Sequence, residues 1–141
     1  MNTPTRQQLD FHGIHPSAQR LAVGDYVLWT AEHPSAERVY EMALKRLATL
    51  SQATVYNTLN LFVERGLLKA LQIESGHTVF DPNVAPHHHF IDDDSGCIHD
   101  IPWAAVQVNG TDNLDGFDVA EVQLILRGRR QATPNPHKTL N

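Results

Sequence analysis

A single cysteine, Cys97, is the whole thiol content of this 141-residue chain. One thiol closes no internal disulfide and completes no Cys-x-x-Cys zinc clip. Long apolar runs are also missing. Nothing approaches the ~20 residues needed to span a bilayer, and the opening MNTPTRQQLDFHG contains no signal-peptide core. These absences predict a cytoplasmic protein with no membrane partner. Basic excess is lacking too: the formal net charge is −5, which argues at first against a polyanionic partner. Its distribution changes that reading. Residues 1–80 hold seven Lys/Arg and seven Asp/Glu, whereas residues 81–141 hold four and nine, so the second part carries the entire deficit. DNA binding by the first part is therefore permitted but not demanded, since it carries no basic stripe. The apolar fraction of 41% is enough for a core. The second part has few apolar residues for its length and is expected to borrow core from another chain.

What is present reads as helices followed by short strands. A first helix is expected over Pro4–Phe11, stopping at Gly13, and a second from Pro16–Ser17. In the second, Leu21, Tyr26, Leu28 and Trp29 are only loosely periodic and Gly24 is unfavourable. EHPS at 32–35 breaks the chain, and Ser35 can cap a third helix in which Val39, Ala43 and Leu47 recur at helical spacing. In LSQATVYNTLNLFVERGLL, Ser51 can cap a fourth. Its apolar face would be Val55, Leu59, Phe62 and Val63, and Gly66 falls just past its end. The third and fourth helices, joined by three or four residues around Thr49–Leu50, form a helix-turn-helix pattern. LLKALQI and HTVF then read as two strands joined by the turn tripeptide ESG, a wing. The polar face of the fourth helix carries Gln52, Thr54, Tyr56, Asn57 and Asn60, types that bond base edges and phosphates and that equally suit a merely solvated face. DPNVAP, 81–86, is a hinge. Beyond it, strands are expected near His89–Ile91, Ile98–Ile101 and Phe117–Leu126. ATPNPHKTLN should be a frayed tail.

The hinge opens onto a histidine run, His87-His88-His89. On a strand, His87 and His89 share one side and His88 faces the other. His-x-His on a strand presents two metal ligands, and nearby carboxylates make the donor set one of nitrogen and oxygen, suited to Fe(II), Mn(II) or Zn(II). Asp81 precedes the run. A hairpin through DDDSG could return Asp100 beside His89, while Asp92, Asp93 and Asp94 read as a turn. A polar surface hairpin with a chance histidine run is the competing explanation. His12, His15, His77 and His137 read as scattered surface residues, and His99 should face away from Asp100's side.

Together, ATVYNTLNLFVERGLL and HTVFD…HHHFI…G…HDI make the chain resemble the ferric uptake regulator (Fur) superfamily over roughly residues 10–126. The likeness is greatest to the branch holding peroxide-sensing regulators and the haem-linked iron response regulators. The resemblance implies an α+β protein: an N-terminal winged helix-turn-helix DNA-binding domain (1–81), a hinge (82–86), and a small C-terminal α/β dimerisation domain with metal ligands and a frayed tail (87–141). It implies a regulatory metal site at His33, Asp81, His87, His89 and Asp100, loaded with Fe(II) or Mn(II), or with Zn(II) in vitro. His33 enters only through the resemblance, because EHPS alone reads as a plain helix start. It further implies operator-DNA contacts by Arg20, Ser51, Thr54, Tyr56 and Asn57, and a homodimeric, non-enzymatic repressor of double-stranded operator DNA. Two departures matter. Asp92 and Ser95 stand where relatives carry structural-zinc cysteines, so no four-cysteine structural zinc is expected. Pro86 stands where relatives often begin their histidine motif, so a second metal site is not expected. Asp100, where many relatives carry glutamate, leans toward peroxide sensing. Haem binding through the histidine run or Cys97 is the alternative signal, and a small metalloenzyme or a metal buffer are rivals from other classes.

Overall fold

The computed structural model describes residues 2–74 and 76–131. It divides into two compact units, residues 1–84 and 85–141. The expected tail at 132–141 and the middle of the ESG turn lie outside the described residues.

Unit 1 holds four helices, α1 (Asn2–Phe11), α2 (Ala18–Val27), α3 (Ala36–Leu44) and α4 (Gln52–Glu64), then the hairpin β1 (Lys69–Glu74) and β2 (His77–Asp81). Serine caps start three of the helices: the hydroxyls of Ser17, Ser35 and Ser51 accept the backbone N–H of Arg20, Arg38 and Thr54, satisfying donors that the first turn leaves without partners. Glycine ends two of them. At α4, Gly66 takes a φ of +82°. Leu67 N–H then reaches Phe62 O at 2.9 Å and Gly66 N–H reaches Val63 O at 3.1 Å, the paired bonds of a Schellman ending. Gly13 closes α1 in the same way through Leu9 and Asp10.

The weak periodicity of α2 has a structural reason. Every residue from Leu21 to Val27 is buried, because past its first turn α2 is the central helix and these residues have no solvent face to mark with polar residues. Gly24 lies where α1 crosses: a Cβ there would stand 2.7 Å from Thr5 Cγ2. Beside it, Thr5 Oγ1 donates to the buried Asp25 carboxylate at 2.6 Å and accepts from Trp29 Nε1 at 3.0 Å. Arg46 reaches the same carboxylate at 3.7 Å. Gly24→Ala should therefore destabilise unit 1 by about 1–3 kcal/mol through overpacking, despite alanine's better helix propensity. Thermal unfolding measures this, and an unchanged midpoint would mean that α1 yields freely.

The link between α3 and α4 is longer than expected. It runs from Lys45 to Ser51, because Arg46 and Leu47 turn back onto Ala43 O, and Leu50 N–H onto Leu47 O, before the buried Leu50 anchors the entry to α4. Val55, Thr58, Leu59 and Phe62 form the buried face of α4. The expected Val63 is only partly buried. The wing is pinned to the start of α3: Ser35 bridges Val79, and Phe80 N–H donates to Pro34 O at 2.9 Å.

Unit 2 is a sheet of three strands, β3 (His87–Asp92), β4 (Ile98–Pro102) and β5 (Ile125–Gly128), with β3 central, antiparallel to β4 and parallel to β5. Its helical content among the described residues is two 3-10 turns, Trp103–Ala105 and Thr111–Asn113. Of the strand expected over Phe117–Leu126, only Ile125 and Leu126 form, as the start of β5. The chain is irregular through Leu124, and one cause is visible at its end. Leu124 N–H is drawn to the ring of His88, at 3.0 Å from Nδ1, while Leu124 O accepts His89 N–H; a ladder cannot extend where the backbone donor is spent on a side chain.

Candidate functional site

The candidate metal ligands form two groups, one in each unit. In unit 1, His33 and Asp81 are both buried, with Nε2 and Oδ2 3.3 Å apart. The backbone explains the pair. Pro34 receives the hydrogen bond from Phe80, so residue 33 lies beside the end of β2, where Asp81 follows. His33 itself takes a φ of +53°, a left-handed conformation that a non-glycine residue adopts at a cost of order 1–3 kcal/mol. Asp81 also caps its own turn, Oδ1 accepting Asn83 N–H at 2.9 Å.

In unit 2, the strand alternation and the hairpin register place three donors on one face. Asp100 is directly opposite His89. Nε2 of His87 lies 3.0 Å from Nε2 of His89, and Asp100 Oδ1 lies 3.3 and 3.6 Å from these two nitrogens. Neighbouring ligands on a first-row divalent cation, with bonds of about 2.1 Å, stand about 3 Å apart. The trio therefore fits such an ion by spacing, and two imidazoles plus one carboxylate are the donor set of many ferrous sites. His87 Nδ1 is 2.7 Å from Ala85 O, so Nδ1 donates to that carbonyl and Nε2 is the nitrogen turned toward the trio.

His88 faces the other way and is structural. It is fully buried and stacked on Trp103, with centroids 4.7 Å apart and an angle of 22°. Burial, with the neighbouring His87 and His89 adding to it, lowers its pKa below the ordinary histidine value. The neutral ring is therefore the form that accepts Leu124 N–H.

Asp92 and Ser95 close the β3–β4 turn with hydrogen bonds. The Asp92 carboxylate accepts Asp94 N–H and Ser95 Oγ–H, each at 2.9 Å. Those bonds, led by the backbone N–H of Asp94, lower its pKa. The turn is thus held by an aspartate and a serine at the positions where the resemblance places metal-binding cysteines in relatives. Cys97 is exposed.

The candidate DNA-contacting residues lie on unit 1. A cleft of about 360 Å³ between α2 and α4 is lined by Arg20, Thr54 and Asn57, with His15, Gln19 and Leu61 among the other walls. Arg20 is held in place by a 3.0 Å bond from Nη1 to His15 O. Tyr56 projects from α4, 42% exposed. Ser51 is occupied by the helix: besides accepting Thr54 N–H, its hydroxyl donates to Thr54 Oγ1 at 2.9 Å. His15 and Gln19 were not singled out by the sequence, because neither belongs to a periodic pattern or a recognisable spacing.

No helix among the described residues is long and apolar enough to cross a membrane. The model of the ferric uptake regulator family matches residues 12–127. The peroxide-responsive repressor PerR of Staphylococcus aureus strain Mu50 is 30% identical over 120 residues, which span 82% of this chain and 80% of that protein. The ferric uptake regulator of Pseudomonas aeruginosa with manganese superposes with a TM-score of 0.68 at 24% identity, covering 90% of this chain and 98% of that one. The peroxide stress regulator of Campylobacter jejuni does so with a TM-score of 0.65 at 22% identity, covering 92% and 95%. The wing that follows α4, the histidine-bearing β3 and the match along most of the sequence lead to one conclusion: this chain belongs to the ferric uptake regulator family, and it is a metal-dependent transcriptional regulator, not an enzyme.

Proposed function

We propose that this chain is a homodimeric repressor that grips double-stranded operator DNA when one Fe(II) or Mn(II) ion is held by His33, Asp81, His87, His89 and Asp100. The observation that carries this reading is the division of the donors. Unit 1 has a buried imidazole–carboxylate pair, and unit 2 has a trio with ion-like spacing. Neither set alone fills the five or six positions that such ions commonly take. A cation using both sets binds one arrangement of the units better than others, which is the only way a ligand shifts a conformational equilibrium. In a dimer, that arrangement would set two α4 helices at the spacing of successive major grooves. The poor apolar content of unit 2 supports the dimer: Ile91 is its one buried hydrophobic residue among those described, while Trp103, Leu114 and Phe117 are exposed.

The signal is peroxide in this reading. Ferrous iron, when bound, supplies the reducing chemistry by which peroxide delivers oxygen to a nearby ring. The chain's part is to place His33 and His87 where that ring can be one of its own ligands. Oxidation of either would remove a donor and loosen the hold on DNA.

A gel-shift assay on the chain's own promoter tests the function. Retardation should require Mn(II) or Fe(II) and be reversed by a chelator. Mass spectrometry of the Fe(II)-loaded protein after dilute peroxide should then find one added oxygen on the peptide bearing His33 or His87. DNA binding indifferent to metal would overturn the metal switch. An unmodified peptide with DNA released would overturn the peroxide branch alone.

A further inference from the structure

A cleft of about 650 Å³ opens in unit 2 with His87 in its wall. Trp103, Val119, Ala120 and Val122 make much of the rest of the lining apolar. The indole of Trp103 is a fixed wall, because it is stacked on the buried ring of His88. Val119, Ala120 and Val122 lie in the irregular stretch that precedes β5. Two exposed carboxylates, Asp112 and Glu121, also border the cleft. Its size and chemistry do not match hydrogen peroxide. That molecule is little larger than water, whose share of liquid volume is about 30 Å³. Pockets that take organic molecules commonly measure about 300–1,000 Å³ and are lined mostly by apolar and aromatic side chains. A passage for hydrogen peroxide alone would need neither this volume nor these walls.

Resting on the peroxide reading above, we propose that this cleft binds neutral organic hydroperoxides, and that these are the signal the chain takes in preference to hydrogen peroxide. The alkyl or aryl body of such a molecule lies against Trp103, Val119 and Val122, where burial of apolar surface holds it. Its hydroperoxide end is its one polar part and faces His87, a ring proposed above to receive oxygen. Binding beside the reacting ring then raises the rate by proximity. Asp112 and Glu121 disfavour an anionic hydroperoxide, such as that of a fatty acid, because like charges repel. In the overall step the O–O bond of R–OOH breaks. The outer oxygen is inserted at a ring C–H bond, and the other leaves as the alcohol R–OH, keeping the peroxide's own hydrogen. The ring loses two electrons and the hydroperoxide gains two, so no further oxidant or reductant is consumed.

Two measurements test this. In the first, the full chain loaded with Fe(II) is treated with hydrogen peroxide or with cumene hydroperoxide, and oxygen added to the peptides bearing His33 and His87 is followed by mass spectrometry. With cumene hydroperoxide the rate should saturate as concentration rises, whereas with hydrogen peroxide it should stay proportional to concentration. Ala120→Trp, which fills the cleft, should lower the ratio of the cumene hydroperoxide rate to the hydrogen peroxide rate about tenfold or more. The second measurement needs no oxidation. The chain is loaded with redox-inert Zn(II) and titrated with cumyl alcohol, the product that cumene hydroperoxide leaves behind. The chain has two tryptophans. In nitrogen-15 spectra the indole N–H signal of Trp103 should shift saturably and that of Trp29 should not. A cleft filled by the second protomer would leave both signals in place, and the proposal would fall. It falls also if hydrogen peroxide oxidises the chain while cumene hydroperoxide shows no saturation, a result that leaves the peroxide reading standing. If neither peroxide adds oxygen, that reading fails and this proposal with it. Should Ala120→Trp not fold, saturation and the indole shift in wild type decide the matter.

Discussion

His33→Ala should leave a protein that still binds Mn(II) through unit 2 but no longer answers it with DNA binding. The trio of His87, His89 and Asp100 is built by strand alternation and hairpin register, and none of that depends on residue 33. What His33 contributes in the proposed switch is the difference in affinity between arrangements of the units. Coupling of this kind is commonly about 1–3 kcal/mol, or about 5–150-fold. Operator affinity of the variant with Mn(II) should fall by that factor, to the level of the metal-free wild type. Metal affinity should fall as well, because one imidazole is lost, yet remain measurable. Relief of the left-handed backbone at residue 33 is not expected on replacement by alanine, which also disfavours φ above zero. The measurement is a pair of titrations, Mn(II) into protein and protein into labelled operator at saturating Mn(II). A variant whose DNA binding is still activated by metal to the wild-type extent would show that unit 1 contributes nothing to the switch.

Tyr56→Ala should do the reverse, abolishing operator binding while metal affinity stays as it was. Tyr56 is 42% exposed on the outer side of α4, so its removal should change stability little, within about 0.5 kcal/mol. A side chain reading a base edge is worth about 1–3 kcal/mol. A dimer would use it twice, so the expected loss is about 2–6 kcal/mol, from about 30-fold to about 20,000-fold in affinity. Arg20 offers an internal comparison. It lines the cleft with Thr54 and Asn57 and is held by His15 O, a position suited to a phosphate. Its replacement should weaken all DNA sequences alike and flatten the salt dependence. Parallel loss of metal and DNA binding in Tyr56→Ala would mean that α4 is merely structural at this position.

Much of unit 1 could be read locally. The serines that cap α2, α3 and α4 and the glycines past α1 and α4 act through bonds spanning three to five residues. A linear sequence displays such spans directly. The 3.6-residue repeat identified Val39 and Ala43 of α3 and Val55, Leu59 and Phe62 of α4 for the same reason, while Leu47 falls past the end of α3 and Val63 is only partly buried. Helix α2 was harder, since its stretch from Leu21 to Val27 is buried all round and carries no periodic mark. The α3–α4 link was underestimated because its extra turns are stabilised by Leu50 entering the core, a tertiary event. Phe117–Leu126 alternates well enough to suggest a strand, yet only Ile125 and Leu126 enter β5, and the donor just before them, Leu124 N–H, serves His88.

The candidate site divides along the same line. His87 and His89 stand out because two imidazoles at i and i+2 must share a strand face. Asp100 needed only a hairpin. His33, by contrast, is an ordinary residue before a proline until Pro34 O meets Phe80 N–H, and Val122 reads only as part of an expected strand. The order of amino acids by itself determined the serine-capped helix starts, the glycine ends of α1 and α4, most of the buried stripes of α3 and α4 and the strand that carries the imidazoles, because neighbours along the chain enforce those features. Only the tertiary structure decided that His33 lies against Asp81 and that Val122 and His87 line one cleft, because those placements join residues dozens of positions apart.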